Sequence, residues 1–512
     1  MARKQLIINM AANGLSFAVQ FCISFFLTPY IVRTLGSEAY GFIPLVNNLI
    51  GYATILTVAL NSMTARFVTL AKEQRNVKQA NEYFNSVLVA DTVLAVVLAV
   101  VGAGIVLSVN RVFNVPLRLL VDVQMTFAFA FLGFVVSIIF SAFGCCFYVS
   151  NRVDVSARLG IESNLLRGAV LVVMFLLFVP KVWYITFTSL CVYGFLAISN
   201  IRYCRRLMPM IDVNFRMFDW RSAKEMLSAG IWNSISQLSA SLLTGVDLIL
   251  ANMLLGASLS GQYSLVKTVP NFILQLVIAV LGAFVPEFNI LYARQKEKDL
   301  LDSIDFSIRV MSLLVTVPIG FLMVFGEDFF STWVPTQDAS LLQKLSILTL
   351  IPMIVMCSTQ SLNKVYTVVN KLRIPSLFFV AMGVLNVLLA WGLLRFTPLG
   401  LWALPIASAT INLIIDLGFN VIYAARCLHL PWYTFYKTVM RSVLCVLTVV
   451  ALSLIYRTIC GPAIGWLRLV IAGIIVSSCA LVINLFLVFN AQDRKKIIEK
   501  VMGKLMHKTR LL

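Results

Sequence analysis

The sequence predicts an all-α, polytopic membrane protein of about fourteen transmembrane helices. It further predicts two pseudo-symmetric six-helix bundles followed by an extra C-terminal helix pair. Three observations lead there. The chain of 512 residues is 60% apolar and only 12% charged, with a mean hydropathy of +0.92, whereas a soluble domain is about 45–50% apolar and about 25% charged. Apolar runs long enough to cross a bilayer recur along the whole chain. A glycine-rich motif also repeats at an offset of 220 residues.

A spanning helix needs about 20 apolar residues. Breaks at charges, Gly/Pro clusters and turn residues define runs at 7–33, 39–64, 84–109, 122–147, 162–179, 182–201, 227–255, 262–289, 306–326, 345–369, 375–395, 399–424, 440–460 and 467–489. Helices are expected because open strands leave their backbone unsatisfied in lipid, and barrel alternation is absent. The first run follows Arg3 and Lys4, as a signal peptide would. It is too long for an h-region and lacks a small-residue cleavage site, so it reads as a retained first span. The longest polar segments, 202–224 and 491–512, are too short for a soluble domain. The largest outward turn, 327–344, leaves no room for an extracytoplasmic catalytic domain.

The formal charge is +19. With the N-terminus inside, 32 of the 41 Lys and Arg fall on the inward side and 9 on the outward side, the bias expected of cytoplasmic loops. Both termini are therefore expected in the cytoplasm of a bacterial cell whose inner membrane the chain crosses. The basic tail 491–512 is expected to lie as an amphipathic helix on anionic headgroups. Membrane lipids thus account for the charge, and nucleic acid is not needed as a partner. The ten cysteines read as small core residues rather than a disulfide framework. His429 and His507 lie far apart, so no metal site is expected, and no cofactor is implied. There is no P-loop, GxSxG or HExxH, and the chain does not read as an enzyme.

Leu35-Gly36-x4-Gly41-x3-Leu45-Val46 matches Leu255-Gly256-x4-Gly261-x3-Leu265-Val266, and the same offset pairs Asn13 with Asn233 and Lys78 with Lys298. Span 1 maps onto span 7 and span 2 onto span 8. An even number of spans separates the copies, so the repeat is parallel, a recurrent transporter design. The expected organisation is 1–205 as the N-terminal bundle, 206–426 as the second, 427–490 as the extra pair and 491–512 as the tail.

Polar groups in lipid usually face a bundle interior or a watery cavity. Span 1 carries Asn9, Asn13, Ser16, Gln20 and Ser24 on one helical face. Span 7 carries Asn233, Gln237, Ser241, Thr244 and Asp247 in the same way. Such residues also serve as glue between helices, but two matching stripes in repeat-related helices favour a shared aqueous cavity. Asn412, Asp416 and Asn420 form a third stripe, suited to a coupling cation or to packing. Pro270 and Pro286 are expected to bend span 8. Lys267 and Asp247 rank highest among the ionisable residues because snorkelling helps them least. Arg33 and Arg66 lie near helix ends, where snorkelling is an equal explanation. Asp91 lies about two turns inside span 3.

The stretch Leu27-Thr28-Pro29-Tyr30-Ile31-Val32-Arg33-Thr34-Leu35-Gly36-Ser37-Glu38-Ala39-Tyr40-Gly41 resembles the first-turn signature of the polysaccharide exporters and flippases of the multidrug/oligosaccharidyl-lipid/polysaccharide superfamily. Asp247 through Leu250, with Leu255-Gly256 and Gly261-Gln262-Tyr263, resembles the signature opening the second half. The resemblance implies transfer of an undecaprenyl-diphosphate-linked oligosaccharide from the inner to the outer leaflet, for O-antigen, capsule or exopolysaccharide. It implies two bundles around a cationic cavity and an extra helix pair that can hold the lipid tail. Arg33, Arg66 and Lys267 are then the approximate counterparts of the cations on helices 1, 2 and 8 of the lipid II flippase. Asn13, Gln20, Asn233 and Gln237 are expected to bond sugar hydroxyls. Asp247 and Asp416 are candidates for a coupling ion, H+ or Na+. The alternatives are a drug/cation antiporter of the same superfamily, which wants an acidic cavity, and the lipid II flippase itself, which wants more deep arginines. A membrane polymerase or ligase would want a large outer loop.

Overall fold

A computed structural model describes residues 2–282, 284–369 and 371–489, with the side chains of residue 19 and of 21 onward. The tail 491–512 and the side chains of Asn13 and Gln20 lie outside the described residues. Among these residues there is no strand, and thirteen helices are long and apolar enough to cross a membrane. The first of them, Phe21–Glu73, has 53 residues. At about 1.5 Å per residue it is too long for one crossing of a roughly 30 Å core. It belongs to α1, Ala2–Glu73, which is interrupted at Gly36 (φ 87°, ψ 159°). A residue with a Cβ rarely adopts that φ, whereas glycine does so freely. Counting its two arms separately gives the fourteen spans the hydropathy predicts. The chain is a multi-pass membrane protein.

The helices after α1 are α2 (Val77–Val112), α3 (Leu120–Ile139), α4 (Cys145–Val149), α5 (Val153–Leu177), α6 (Tyr184–Leu207), α7 (Trp220–Thr244), α8 (Val246–Leu255) and α9 (Ala257–Leu281). Then come α10 (Val285–Ala293), α11 (Glu297–Leu314), α12 (Thr316–Trp333), α13 (Ala339–Val368), α14 (Arg373–Phe396), α15 (Ala403–Leu413), α16 (Val421–Cys427), α17 (Tyr436–Cys460) and α18 (Trp466–Val488). Three departures from the sequence reading have local causes. The span read as 122–147 ends at Ile139 and turns through Ser141–Gly144 before α4. The span read as 227–255 is notched at Gly245 within the single crossing Trp220–Leu255, which puts Asp247 in the first turn of α8. Pro286 does not kink a continuous span; it stands in the first turn of α10, where a missing N–H leaves no bond unmade.

The chain packs as two compact units, Met1–Leu265 with Leu372–Ala407, and Val266–Lys371 with Ser408–Leu512. In the first, α1 packs on α7, α7 on α14, α3 on α6 and α2 on α1 and α3. The α1–α7 contact is close because Gly230 lies against the backbone of Ala59. Polar groups tie it further: Ser234 Oγ donates to Ile55 O (2.7 Å), Tyr52 Oη to Ser241 O (2.8 Å) and Asn48 Nδ2 to Gly245 O (3.1 Å). In lipid no hydrophobic drive pulls helices together, so small residues and such bonds supply the adhesion.

In the second unit, α12 packs on α13 and α17, and α17 on α18. Gly461 (φ 77°) and Gly465 (φ 93°) shape the turn between α17 and α18. Asp328 Oδ2 accepts from Ala463 N (3.3 Å), Thr332 Oγ1 from Gly465 N (3.1 Å), and Arg457 Nη1 donates to Val324 O (2.9 Å). The last helix pair is thereby fixed to α12. All ten cysteines are free. Cys22, Cys460 and Cys479 are exposed, which corrects their reading as core residues: a small apolar thiol also suits a surface that faces lipid.

Candidate functional site

The first unit holds Arg33, Arg66, Asn233, Gln237 and Asp247, and the second holds Lys267 and Asp416. Arg33 and Arg66 are exposed. Arg33 lies three residues before the Gly36 break in α1. Lys267 is half-buried on α9, three residues before Pro270. Asn233 spends an amide hydrogen on Ser62 Oγ of α1 (3.0 Å). Gln237 is half-buried beside it on α7. Ser236 and Ser239 of the same helix bond Ser376 of α14, at 3.0 Å to its hydroxyl and 3.3 Å to its carbonyl. Asn233 of the stripe, and Ser236 and Ser239 beside it, therefore work between helices.

Asp247 is 1% exposed, in the first turn of α8, and accepts from Tyr263 Oη at 3.4 Å. Asp416 meets Asn420 of the same stripe. Its Oδ1 accepts from Asn420 Nδ2 (2.8 Å) and from Thr359 Oγ1 of α13 (2.6 Å). Tyr366 Oη in turn donates to Asn420 O (3.0 Å). Residues 414–420 are wound as a π-helix, a form that often marks functional positions.

The sequence reading missed two features of the first unit. Asp91 on α2 meets Asn61 of α1 and Ser141 of the turn after α3. Asn61 and Ser141 also line a cavity of about 660 Å³ with Ser62, Ser156, Ser163 and Asn200. Arg167 lies well inside α5, and its Nε is buried with no hydrogen-bond partner among the described residues. A lone Arg in the apolar run 162–179 was the available signal. No cluster of His, Cys, Asp and Glu among the described residues is arranged to hold a metal ion.

The fold is one shared with solved membrane transport proteins. It is similar to the lipid II flippase MurJ in its inward closed conformation (TM-score 0.66, 12% identity, covering 94% of this chain and 99% of that one). It is also similar to an inward-facing multidrug resistance MATE family transporter of the MOP superfamily (TM-score 0.66, 13% identity, 83% and 97% covered). The chain belongs to the polysaccharide biosynthesis protein family, whose model matches residues 6–291. It is 27% identical over 499 residues to the uncharacterized membrane protein EpsK of Bacillus subtilis (strain 168), covering 96% of this chain and 97% of that protein.

Proposed function

We propose that the protein moves an undecaprenyl-diphosphate-linked oligosaccharide from the inner to the outer leaflet of the bacterial inner membrane, for assembly of a surface polysaccharide. The observation that carries this is the family match over residues 6–291 in a chain with the fold of a lipid flippase. The physical demand fits. A diphosphate cannot cross hydrocarbon unaided, and a cation in a polar cavity offsets its desolvation. Lys267, Arg33 and Arg66 are the proposed diphosphate-binding cations. Asn13, Gln20, Asn233 and Gln237 are the proposed partners of sugar hydroxyls. Asp247 and Asp416 are proposed to take the coupling ion, H+ or Na+.

In this reading the bundles 1–205 and 206–426 rock against each other to give alternating access. The pair 427–490 holds the lipid tail, and both termini and the tail 491–512 are cytoplasmic. Lys267 disfavours the drug/cation antiporter, whose substrate wants an acidic cavity. Deleting the gene tests the proposal: lipid-linked oligosaccharide should accumulate on the cytoplasmic leaflet and one surface glycan should disappear. A normal glycan in a strain lacking redundant flippases would overturn it.

A further inference from the structure

Asp91 is fully buried in α2. Two contacts join it to uncharged side chains, and a third joins those side chains to each other. Asn61 Nδ2 lies 3.3 Å from Asp91 Oδ1, Ser141 Oγ lies 2.6 Å from Asp91 Oδ2, and Ser141 Oγ lies 2.9 Å from Asn61 Oδ1. These contacts close a ring. A closed ring of three hydrogen bonds needs three protons. The Asn61 amide offers one along its single edge in the ring, and the Ser141 hydroxyl has one. Turning the Asn61 amide over does not change the count, because its oxygen then faces Asp91 instead of Ser141. The third proton has one remaining source, the carboxyl of Asp91.

The charges around Asp91 agree. Among the described residues, Asp91 forms no salt bridge with a Lys or Arg. On α3, Asp122 is paired with Lys181. On α7, Glu225 accepts from Tyr83, two turns before Asp91 on α2, while Arg221 and Lys224 are exposed. On α1, Arg66 and Glu73 are exposed and Lys72 donates to Val149 O. In the short turn before α7, Asp212 and Arg216 are exposed. An ionised carboxylate buried without a counter-charge is costly in a membrane segment, and a hydrogen-bonded neutral acid is not.

The ring is not sealed off. Asn61 and Ser141 both line the 660 Å³ cavity, and its other polar lining is Ser62, Thr64, Ser156, Ser163 and Asn200. Hydroxyl and amide groups of that kind hold water, which can carry a proton to Ser141. The ring also ties three separate elements, α1, α2 and the turn after α3. Loss of the proton leaves two protons for three contacts, so one tie opens.

We propose that Asp91, Ser141 and Asn61 form a proton-binding site of the first unit, with the proton held on Asp91 and exchanged through the adjoining cavity during the transport cycle. The site is separate from Asp247 and Asp416.

The test uses the full-length protein in lipid nanodiscs. Infrared difference spectra between wild type and Asp91→Asn at neutral pH should show one carboxylic-acid C=O band that belongs to Asp91 and shifts in D2O. Carboxylate bands in its place, or a band that does not shift, would overturn the proposal. Asn at 91 keeps the ring closed, since its amide donates where the acid did, so the variant should fold. It cannot release a proton, so a deletion strain carrying it should lose the surface glycan that wild type restores. A wild-type glycan level in the Asp91→Asn strain would show a static acid and overturn the cycling role. If wild type itself restores no glycan, the transport reading fails while the infrared arm still decides the proton.

Discussion

Gly41 and Gly261 meet backbone to backbone: a Cβ added to Gly41 would stand 2.8 Å from the Cα of Gly261. The two positions are equivalent in the repeat of offset 220. Each follows a second equivalent glycine, Gly36 at φ 87° and Gly256 at φ 93°. The motif thus has two physical reasons, a left-handed turn and a close crossing, and both copies use them alike. Two equivalent residues that touch lie beside the axis relating their copies.

That contact predicts a ranking of substitutions. A Cβ on Gly261 would stand 2.1 Å from the backbone oxygen of Ser37, which no side-chain rotation relieves. Gly261→Ala should destabilise the protein by about 1–3 kcal/mol or more. Gly36→Ala meets no atom within 4 Å and should suffer only from its φ, by roughly 1–2 kcal/mol. Thermal unfolding in detergent checks this, and an unchanged Tm for Gly261→Ala would contradict the crossing.

The start of α7 gives a second prediction. Asp219 caps it, accepting from Ser222 N (2.9 Å), Ser222 Oγ (2.8 Å) and Arg221 N (3.3 Å). These donors, the Ser222 N–H first, hold the carboxyl below its ordinary value. A lowered folded-state pKa stabilises above the unfolded value of about 3.9 and ceases to do so as pH falls below it. Asp219→Ala should therefore lower Tm at pH 7 and lower it less near pH 3. An equal deficit at both pH values would rule out the charged cap.

The orientation proposed from the cation bias is tested by single cysteines on a cysteine-free background. Cysteines replacing Ser37 and Leu341 should react with an impermeant reagent from outside, and those replacing Gln79 and Gln492 should be protected. Labelling at 492 from outside would exclude an even number of spans.

The spans were legible because apolar run length alone determines them. The glycines were legible because their spacing repeats. Side-chain partnerships were less so. Asn420 could be matched to Asp416 since they are four residues apart on one helix, but Thr359 comes from a different helix, 57 positions away. Asn61 and Ser141 lie 30 and 50 positions from Asp91. Nothing local distinguishes them from other small polar residues in apolar runs. The notch at Gly245 was equally hidden, because its φ of −100° is open to any residue.

Asp416 separates an ion site from a structural acid. Asp416→Ala strands the donors of Thr359 and Asn420 in a buried place and should cost about 1–3 kcal/mol. Asp416→Asn should fold, because its carbonyl oxygen can still accept from both. Under the proposed coupling role it should nonetheless lose transport. Wild-type transport by Asp416→Asn would assign Asp416 to packing alone.

Lys267 carries the most exposed part of the functional proposal. It stands in the apolar run Leu265-Val266-Lys267-Thr268-Val269, next to the repeat motif and before Pro270. Lysine meets phosphate as a compact point charge and needs no bidentate geometry. Lys267→Arg should keep partial transport, since the charge survives. Lys267→Gln and Lys267→Ala should lose transport about tenfold or more, which corresponds to roughly 1.4 kcal/mol or above, while the protein still reaches the membrane. The competing role is neutralisation of Asp247, in which the lysine serves the fold and never meets the substrate. The two roles diverge in the double variant. If neutralisation is the whole role, Asp247→Asn together with Lys267→Gln should recover activity lost by either change alone. If Lys267 binds the diphosphate, the double variant stays inactive, because removing the acid does not return the cation. Surface-glycan display in a deletion strain, with membrane amounts measured alongside, reads every variant. Full display by the Lys267→Ala protein would end both roles.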